Sequence, residues 1–399
     1  MMPAQGPTCG NLPELRRIAV AMSGGIDSSV AAAVLREQGH QVIGVTMRLR
    51  GCDEAQASRS CCGVAGLVRA RAVAGQLGIR HYEVDCVREF DQYVLRPAWE
   101  AYTNGYTPNP CLPCNERIKF GILLRWAREV GAAWLATGHY ARIDRRSGEE
   151  ARLLRGCDPR KDQSYFLAGL NTDQLRSILF PIGHLRKSAV RELGRSLGLP
   201  AARMHESQNV CLVGSGQSFG ELLRKRFGGE SHPGPIVDDQ GQVLGQHAGI
   251  HRFTVGQRKR LAVPSLCRRW VKSVWAQDAT IVATTDVGNL YGRHLTARGV
   301  HWLGGIPQEP IVNAEVQIRY RQTAEPARIV RQSDEAVSVS FQRPVRAITP
   351  GQAVVFYDGA RVLGRGWIHA PAAVHPPSRP YRDPQCPTEA RGAWPGGTP

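Results

Sequence analysis

Short apolar runs that alternate with helical stretches most constrain the fold of the first third of this chain. Between Arg17 and about Gly138 the runs have the length of strands, and the segments between them have the length of helices. The predicted strands are 18–22, 41–47, 79–84 and 133–137, and the predicted helices end at Gly39 or cover 67–77, about 90–102 and 115–130. Strands spaced in this way indicate an α/β fold, a parallel sheet with helices on both faces. Ligands of such sheets bind at the carboxyl ends of the strands, where functional residues are therefore expected.

The rest of the sequence has a different character. Residues 209–275 are rich in glycine, and between His251 and Lys272 there are seven Lys or Arg and no acid. From about residue 280 apolar and polar residues alternate with a period of two, most strictly over 312–321, and Asp358-Gly359 lies between two apolar runs as in a hairpin turn. This pattern predicts a small antiparallel barrel or sandwich. The predicted domains are 1–208, 209–278 and 279–370, followed by a proline-rich, disordered tail at 371–399.

Positive charge is in strong excess, since 51 Lys and Arg face 34 Asp and Glu, for a formal net charge of +17 over 399 residues. Basic proteins gain affinity for polyanions by releasing counterions, so a nucleic acid is a candidate partner, with a solvated arginine-rich surface as the alternative. No apolar stretch approaches the roughly 18 residues of a membrane span. Residues 1–17 contain three prolines and lack the apolar core of a signal peptide. We expect a cytoplasmic protein with no membrane partner.

The most specific motif is Ser23-Gly24-Gly25-Ile26-Asp27-Ser28, which follows the first predicted strand and opens the first helix. Paired glycines allow a sharp turn close to a ligand, and the amide groups at a helix N-terminus favour a phosphate. An aspartate beside an anion indicates either Mg²⁺ bridging to a pyrophosphate or a role in orienting the loop. A glycine turn with a serine cap is the structural alternative. A Walker A lysine and a G-x-G-x-x-G string are absent here.

The second motif is TPNPCLPCN at residues 107–115, where prolines stiffen the loop. Asn115 is predicted to cap the following helix, which places Cys114 at a helix N-terminus, where the pKa of a thiol is lowered. A C-x-x-C pair is also typical of half a zinc site or a redox pair, but structural zinc needs four ligands and the chain has no second pair. Cys211 is the third candidate thiol. The isolated cysteines are interpreted as buried apolar residues, namely Cys9, Cys52, Cys86, Cys157, Cys267 and Cys386.

The glycine-rich loop resembles the PP-loop of the ATP pyrophosphatases, and the chain as a whole resembles the bacterial tRNA-specific 2-thiouridylases within that superfamily. The resemblance runs from about residue 18 to residue 368. It is carried by AMSGGIDSSV, TPNPCLPCNERIKFG, ATGHYAR, LLRGCDPRKDQSYFL, ESQNVCLVG, GQHAGIHRFTVGQRK, RYRQT and TPGQAVVFYDG, in family order. It implies a PP-loop (HUP-like) catalytic domain, a small central domain and a C-terminal antiparallel β-barrel that contacts tRNA.

The resemblance implies that ATP adenylates O2 of the wobble uridine at position 34 of certain tRNAs, and that sulfur then replaces the activated oxygen. Because water would destroy the activated base, solvent is expected to be excluded around a flipped uridine. ATP with Mg²⁺ is the implied cofactor. The implied ATP-binding residues are Ala21, Met22, Ser23, Gly24, Gly25, Ile26, Asp27, Ser28, Met47 and Gly138.

For the sulfur step, the resemblance implies that Cys211 accepts a persulfide from a sulfur-relay protein or a cysteine desulfurase. Cys114 is then the nucleophile that releases the sulfur, and a Cys114–Cys211 disulfide remains for cellular thiols to reduce. A monomer is expected. The implied tRNA-contacting residues are Asn109, Pro110, Cys111, His139, Lys161, Asp162, Gln163, Arg319, Tyr320 and Gln352.

Cys111 departs from the family pattern, since many members have Asp at this position. An Asp there is a candidate for orienting the base or assisting proton transfer, and a cysteine does not inherit that role. Cys111, Cys114 and Cys211 are together also candidate ligands of a 4Fe–4S iron–sulfur cluster with one iron open for sulfide. Persulfide exchange and cluster-dependent sulfuration of the same base are therefore alternative mechanisms.

Three other functions are alternatives. One is a PP-loop ligase acting on a small substrate, similar to argininosuccinate or GMP synthetases, which needs neither paired cysteines nor a basic central segment. Another is a PP-loop tRNA thiolase with a different target base. The third is a tRNA-binding protein without catalysis, which the presence of Asp27, Ser28, Cys114 and Cys211 disfavours.

Overall fold

The computed structural model describes residues 15–49, 64–145, 150–203, 218–228, 233–259, 261 and 267–369. The first seven strands are β1 (Arg17–Ala21), β2 (Gln41–Arg48), β3 (Arg80–Asp85), β4 (Trp134–Thr137), β5 (Ala141–Asp144), β6 (Arg152–Arg155) and β7 (Ile178–Leu179). Five of them form a sheet in the order β3-β2-β1-β4-β7, and every pairing in it is parallel. The predicted N-terminal parallel sheet is confirmed.

Helices cover both faces of this sheet. The described helices of this part of the chain are α1 (Ile26–Glu37), α2 (Val64–Gln76), α3 (Val87–Phe90), α4 (Arg96–Thr103), α5 (Cys111–Pro113), α6 (Leu123–Glu129), α7 (Ser164–Leu167), α8 (Thr172–Arg176) and α9 (Lys187–Ser196). Two π-helical segments, π1 (Asp91–Leu95) and π2 (Cys114–Ile122), connect α3 to α4 and α5 to α6. The alternating side chains of β1 enter two separate cores: Ile18 packs in one cluster with Val30, and Ala19 in the other with Leu123.

A smaller sheet lies in the central part of the chain. It follows α10 (Phe219–Phe227) and consists of β8 (Gly234–Val237), β9 (Val243–His247), β10 (Trp270–Trp275) and β11 (Thr280–Thr284). The strand order is β10-β11-β8-β9, with β11 and β8 parallel and the other pairs antiparallel. Ile236, Phe253, Val271 and Ile281 form its small apolar core.

The C-terminal part is a closed antiparallel barrel of six strands. These are β12 (Tyr291–Trp302), β13 (Ile311–Gln317), β14 (Glu325–Ser333), β15 (Ala336–Arg346), β16 (Ala353–Asp358) and β17 (Arg361–His369). The order β12-β15-β14-β13-β16-β17 closes because β12 also pairs with β17. The predicted barrel is therefore confirmed. The hairpin of β5 and β6, which no sequence pattern indicated, adds to the same sheet beside β17 through Leu154 and Arg361.

Two predictions from local pattern are wrong. The strand predicted over 312–321 ends at Gln317, because a turn begins there and Arg321 has a left-handed backbone with φ of 64°. Among the isolated cysteines, Cys86 is buried as predicted, but Cys157 and Cys267 are exposed because they lie outside the strands and helices. Cys9, Cys52, Cys386 and the proline-rich tail lie outside the described residues. Within the described ranges, no helix combines the length and apolarity needed to cross a membrane.

Candidate active site at the carboxyl ends of the sheet

The glycine-rich loop between β1 and α1 is held in shape by its own hydroxyl groups. The backbone amide of Ser23 donates to Oγ of Ser28 at 3.2 Å, and the hydroxyls of Ser28 and Ser29 donate to the carbonyl of Gly25 at 3.1 and 2.9 Å. Gly25 is the N-cap residue of α1 and has no side chain to accept from the first-turn amides. These amides can therefore be offered to an anionic ligand, as the sequence predicted.

Two glycines are required by close contacts rather than by flexibility alone. Gly24 has φ of 71°, and a Cβ there would lie 2.3 Å from the carbonyl oxygen of Gly66 in α2. At Gly138, just beyond β4, a Cβ would lie 2.5 Å from the amide nitrogen of Ser28. The structure thus places Gly138 directly against the loop, where the resemblance expected it to line the ATP site.

Asp27 is part of a partly buried ion pair with Lys187. Nζ of Lys187 donates to its two carboxylate oxygens at 2.6 and 2.8 Å, and the hydroxyl of Tyr140 donates to Oδ1 at 2.7 Å. The Lys187 side chain is 8% exposed, and its backbone amide donates to Asp158. Both roles predicted for Asp27, binding Mg²⁺ and orienting the loop, stay predictions.

Within the described residues no group of three His, Cys, Asp or Glu side chains could hold a metal ion, and the Asp27 carboxylate is neutralised by Lys187. Proteins usually hold Mg²⁺ through one or two carboxylates together with the phosphates of the substrate, and Asp27 is the carboxylate that the loop itself contains.

Sequence reasoning missed two cations beside the loop, Lys187 and Arg69. Nε of Arg69, on α2, donates to the carbonyl of Gly24 at 3.3 Å. The signal that could have revealed Lys187 is its place as the first residue of α9, whose first turn has no acidic residue. A cation there opposes the helix dipole and so needs another reason to be present.

The cysteine motif begins a long helix that starts earlier than predicted. The helix begins at Cys111, and Oδ1 of Asn109 accepts from the Cys111 amide at 3.2 Å. Asn115 does not cap it: Asn115 is 2% exposed, and its amide nitrogen donates to the carbonyl of Phe166 at 2.9 Å. The prediction for Asn115 is wrong because the helix already starts after Pro110, one turn earlier. Cys114 consequently lies inside the first turns of the helix.

The two thiols of this motif have different surroundings. Cys114 is 7% exposed and packs in an apolar cluster with Leu49 and Cys86, which directly follow the carboxyl ends of β2 and β3. Burial, together with nearby acids and Cys114, raises the pKa of the Cys86 thiol to about 12. Cys111 is partly exposed and lies near Tyr320. Cys211 and its predicted disulfide with Cys114 lie outside the described residues.

Tyr165, Phe166 and Tyr320 form a group of packed aromatic rings, the aromatic wall, near Cys111. Tyr320, in the turn after β13, has its ring 4.5 Å from that of Phe166, which in turn lies edge-on to Tyr165 at 5.4 Å. Burial raises the pKa of the Tyr320 hydroxyl. The barrel thus brings the predicted tRNA-contacting Tyr320 to the cysteine helix. Phe166 was not predicted.

Several predicted tRNA-contacting side chains are engaged within the protein. The Asp162 carboxylate accepts from the amides of Gly156 and Ser164, at 2.9 and 3.0 Å, and also from Arg155. Oε1 of Gln163 accepts from the amide of Tyr140 at 2.9 Å. These two residues hold the loop between β6 and α7, where Lys161 also lies.

Gln352 connects the barrel to the cysteine motif, and Arg319 makes its hydrogen bond within the barrel. Nε2 of Gln352 donates to the carbonyls of Thr107 and Pro108 at 3.0 and 3.2 Å. The barrel is therefore hydrogen-bonded to the loop that leads to Pro110 and Cys111. Arg319 donates to the carbonyl of Arg346, and burial lowers the pKa of its guanidinium.

Three more predicted residues lie at or near the carboxyl ends of strands: His139 from the predicted tRNA contacts, and Met22 and Met47 from the predicted ATP contacts. His139 lies 5.9 Å from the rings of both Phe120 and Phe180, and its Nδ1 is 2.7 Å from the hydroxyl of Thr137. Burial, with Lys119 nearby, holds the His139 pKa well below its usual value. Met22 is buried in the cluster that contains Ile18 and Val30. Met47 packs against the other cluster of the sheet, which contains Ala19 and Leu123, and against the Cys114 cluster.

This fold and site define a class, the HUP-domain proteins in which a phosphate-binding loop follows the first strand of a parallel sheet. Three family models match the chain: a tRNA methyl transferase HUP domain over residues 16–215, a tRNA methyl transferase PRC-barrel domain over 222–285, and an aminomethyltransferase β-barrel domain over 292–368. Together they cover all three parts of the structure.

The chain belongs to the family of tRNA-specific 2-thiouridylases. The tRNA-specific 2-thiouridylase MnmA of Geobacter metallireducens is 42% identical over 360 residues, which cover 89% of this chain and 97% of that protein. The MnmA of Chloroflexus aggregans is 43% identical over 359 residues, covering 90% and 99%. A solved structure of the U34-tRNA thiolase NcsA from Methanococcus maripaludis, with its 4Fe–4S cluster, is 21% identical with a TM-score of 0.31, covering 55% and 69%. That likeness is too low to transfer a cluster to this chain.

Proposed function

We propose that this member of the family is an ATP-dependent tRNA-uridine 2-sulfurtransferase that adenylates O2 of wobble uridine 34 and replaces that oxygen with sulfur from a cysteine persulfide. One observation carries the proposal. A phosphate-binding loop and a buried thiol, Cys114, lie at the carboxyl edge of the same parallel sheet, and an aromatic wall from the barrel stands beside them.

The adenylation step uses the loop and its cations. Uridine O2 attacks the α-phosphorus of ATP, and pyrophosphate leaves with the negative charge. The first-turn amides of α1 and the cations Lys187 and Arg69 lie where that charge develops, so they stabilise the departing pyrophosphate. ATP brings the Mg²⁺ that shares this charge.

Binding of the base relies on the aromatic wall. A uridine flipped out of the anticodon loop can stack on Tyr320 or Phe166, because every base has a face that stacks on an aromatic ring. The hydrogen bonds from Gln352 to the loop before Cys111 hold Cys111 at a fixed distance from this aromatic wall. Lys161, Arg319 and His139 remain proposed contacts with the tRNA.

The sulfur step uses Cys114 and Cys211. A donor protein leaves a persulfide on Cys211, and its outer sulfur attacks C2 of the activated uridine, so that AMP leaves with the oxygen. The Cys114 thiolate then attacks the inner sulfur of Cys211. The S–S bond to the outer sulfur breaks, the sulfur stays on the base, and a Cys114–Cys211 disulfide forms. Burial of Cys114 keeps water from the reacting sulfur.

A 4Fe–4S cluster is the alternative sulfur carrier, and Cys111 in place of Asp is what favours it. The described residues offer Cys111 and Cys114 in one helical turn, but their surroundings differ, since Cys114 is buried with Cys86 while Cys111 is partly exposed. This difference favours the persulfide. Iron and labile sulfide measured in anaerobically purified protein decide the point: a colourless, iron-free and fully active enzyme ends the cluster alternative.

The test of the proposed function is nucleoside mass spectrometry of tRNA treated with enzyme, ATP and a persulfide donor. Cys114→Ser and Cys211→Ser should each abolish 2-thiouridine while tRNA binding survives. Cys86→Ala is the matched control, because Cys86 lies in the same buried cluster and the proposed sulfur step does not use it. Retained thiolation in Cys114→Ser or Cys211→Ser would contradict the proposal.

A further inference from the structure

The helix that carries the two thiols contains an unusual segment. Residues Cys114–Ile122 form π2, a nine-residue stretch of π-helix between α5 and α6, whereas most π-helical turns are single and occur at functional sites. Each residue of an α-helix advances about 100° around the axis, so a segment that adds a residue rotates everything before it relative to everything after it. Leu123 and Leu124 anchor the following α6 in the core. The direction in which Cys114 points therefore depends on the register of π2.

A single side chain bridges two carbonyls of this segment. Nε2 of Gln174 donates to the carbonyl of Glu116 at 3.0 Å and to that of Phe120 at 2.9 Å. Gln174 is itself fixed, because its Oε1 accepts from the amide of Asn171 at 2.9 Å and its own amide donates to Oδ1 of Asn171 at 2.8 Å, forming the capping box of α8. A rigidly held donor thus inserts into the hydrogen-bond ladder of the thiol helix.

Glu116 is held a second time, by the barrel. Its Oε2 accepts from Arg365 of β17 at 3.1 Å, and the Arg365 side chain is 11% exposed. Gly169 passes so close that a Cβ there would lie 2.9 Å from the same oxygen. The backbone of Glu116 is held by Gln174 and its side chain by Arg365, which leaves π2 little freedom to shift.

We propose that Gln174 is a positioning residue that maintains the π-helical register of Cys114–Ile122 and thereby directs the Cys114 thiol into its reactive position. The proposal rests on the proposed function, in which Cys114 is the nucleophile. Gln174 affects sulfur transfer through the hydrogen bonds that its Nε2 donates to Glu116 and Phe120. Its capping of α8 is not what sulfur transfer depends on.

Loss of the donor should change the register and leave the fold intact. A cavity of about 500 Å³ lies beside the bridge, lined by Glu116, Phe120, Asn171 and Gln174 among others. Water from this cavity can solvate the two carbonyls, so they need not stay unpaired without the Gln174 donor. The helix can then relax towards the ordinary α-helical register and turn Cys114 away.

Two substitutions separate the donor from the cap. Gln174→Glu keeps the acceptor that caps α8, since Glu is a regular capping-box residue, but removes the donor to Glu116 and Phe120. Gln174→Lys keeps a long donor and removes the acceptor. Gln76→Glu is the matched control, because Nε2 of Gln76 also donates to two carbonyls, those of Leu197 and Gly198, in another part of the molecule.

The experiment measures three quantities on the full-length enzyme: the thiolation rate, tRNA-dependent pyrophosphate release, and the pH profile of Cys114 alkylation by iodoacetamide, read by peptide mass spectrometry. Gln174→Glu should lower the thiolation rate roughly 10- to 100-fold and shift the alkylation profile of Cys114, while pyrophosphate release is unchanged. Gln174→Lys should stay close to the wild type in all three, as should Gln76→Glu.

Equal behaviour of Gln174→Glu and Gln174→Lys, or a wild-type alkylation profile in Gln174→Glu, would overturn the proposal. An equal loss in Gln76→Glu would do the same. The alkylation profile does not require tRNA or ATP. A shift seen there in a protein whose wild type fails to thiolate tRNA would refute the proposed function and leave the positioning role of Gln174 standing.

Discussion

The phosphate loop and the thiol helix lie at the same edge of one sheet, but they are built in different ways. Ser23, Gly25, Ser28 and Ser29 shape the loop through hydrogen bonds that span at most five residues. The thiol helix is held by partners far along the chain, among them Gln174, which is 58 residues from Glu116, and Arg365, which is 249 residues from it. The turn of the loop is thus set by local hydrogen bonds, although Lys187 holds Asp27 from 160 residues away, whereas both contacts that hold Glu116 in the thiol helix come from distant parts of the chain.

This difference has a consequence for function. The amide groups proposed for adenylation come from a short sequence, and the cations Lys187 and Arg69 beside them come from elsewhere in the chain. The helix proposed for sulfur delivery is held by Gln174 and by Arg365 of the barrel. Substitutions in the loop or at Lys187 should therefore impair ATP chemistry, whereas substitutions at Tyr320 or Gln174 should affect tRNA binding or sulfur transfer selectively.

The largest expected effect is that of Gly24→Ala. The new Cβ would meet the Gly66 carbonyl oxygen at 2.3 Å in a backbone with φ of 71°, so the loop must move, and tRNA-dependent pyrophosphate release should fall roughly 100-fold or more. Gly75→Ala, on the neighbouring helix α2, is the control, because a Cβ there has nothing within 4 Å. Equal activity of the two variants would show that the loop is not the phosphate site.

Lys187→Met should have the next largest effect. It leaves the Asp27 carboxylate without its cation, which we expect to lower the free energy of unfolding by about 2 kcal/mol and to raise KM for ATP. Denaturant titration and pyrophosphate release measure the two effects. Adding Asp27→Asn should restore stability but not activity. Recovery of both would mean that Lys187 acts only as a structural partner.

Tyr320→Ala tests the long-range side of the comparison. Removing the ring that lies 4.5 Å from Phe166 should raise KM for tRNA roughly tenfold through lost stacking, with KM for ATP unchanged. Tyr320→Phe should behave as wild type. Tyr291→Ala, at an exposed tyrosine at the start of β12, is the control on the same barrel. A change confined to ATP kinetics would place Tyr320 outside the tRNA site.

The smallest expected effect concerns pH and stability. Burial holds the His139 pKa well below its usual value, so below about pH 6.5 the unfolded chain binds a proton that the folded protein does not. Stability contributed by neutral His139 is full above that pH and decreases by about 1 kcal/mol per pH unit below it. In denaturant titrations between pH 7 and 5, His139→Gln should therefore lose less stability than the wild type. Parallel curves would contradict this assignment.

Features set by local sequence could be predicted, and features set by contacts between distant residues could not. The parallel sheet, the barrel, the phosphate loop and the close approach of Gly138 follow from periodicity, local motifs and a family resemblance that the structure supports. The capping role of Asn115 and the strand end near Arg319 were wrong, because turn geometry decided them. Lys187, Phe166 and Gln174 were missed, since each acquires its role only through a contact made by folding.

The most direct test of the central claim is to follow the fate of ATP labelled at its α and γ phosphates, with Cys114→Ser, unthiolated tRNA and a persulfide donor that loads Cys211. The account predicts tRNA-dependent release of pyrophosphate and formation of AMP, because this variant retains the loop that activates the base and lacks only the thiol that completes sulfur transfer. Release of inorganic phosphate with ADP, or no cleavage between the α and β phosphates in the wild type either, would contradict it.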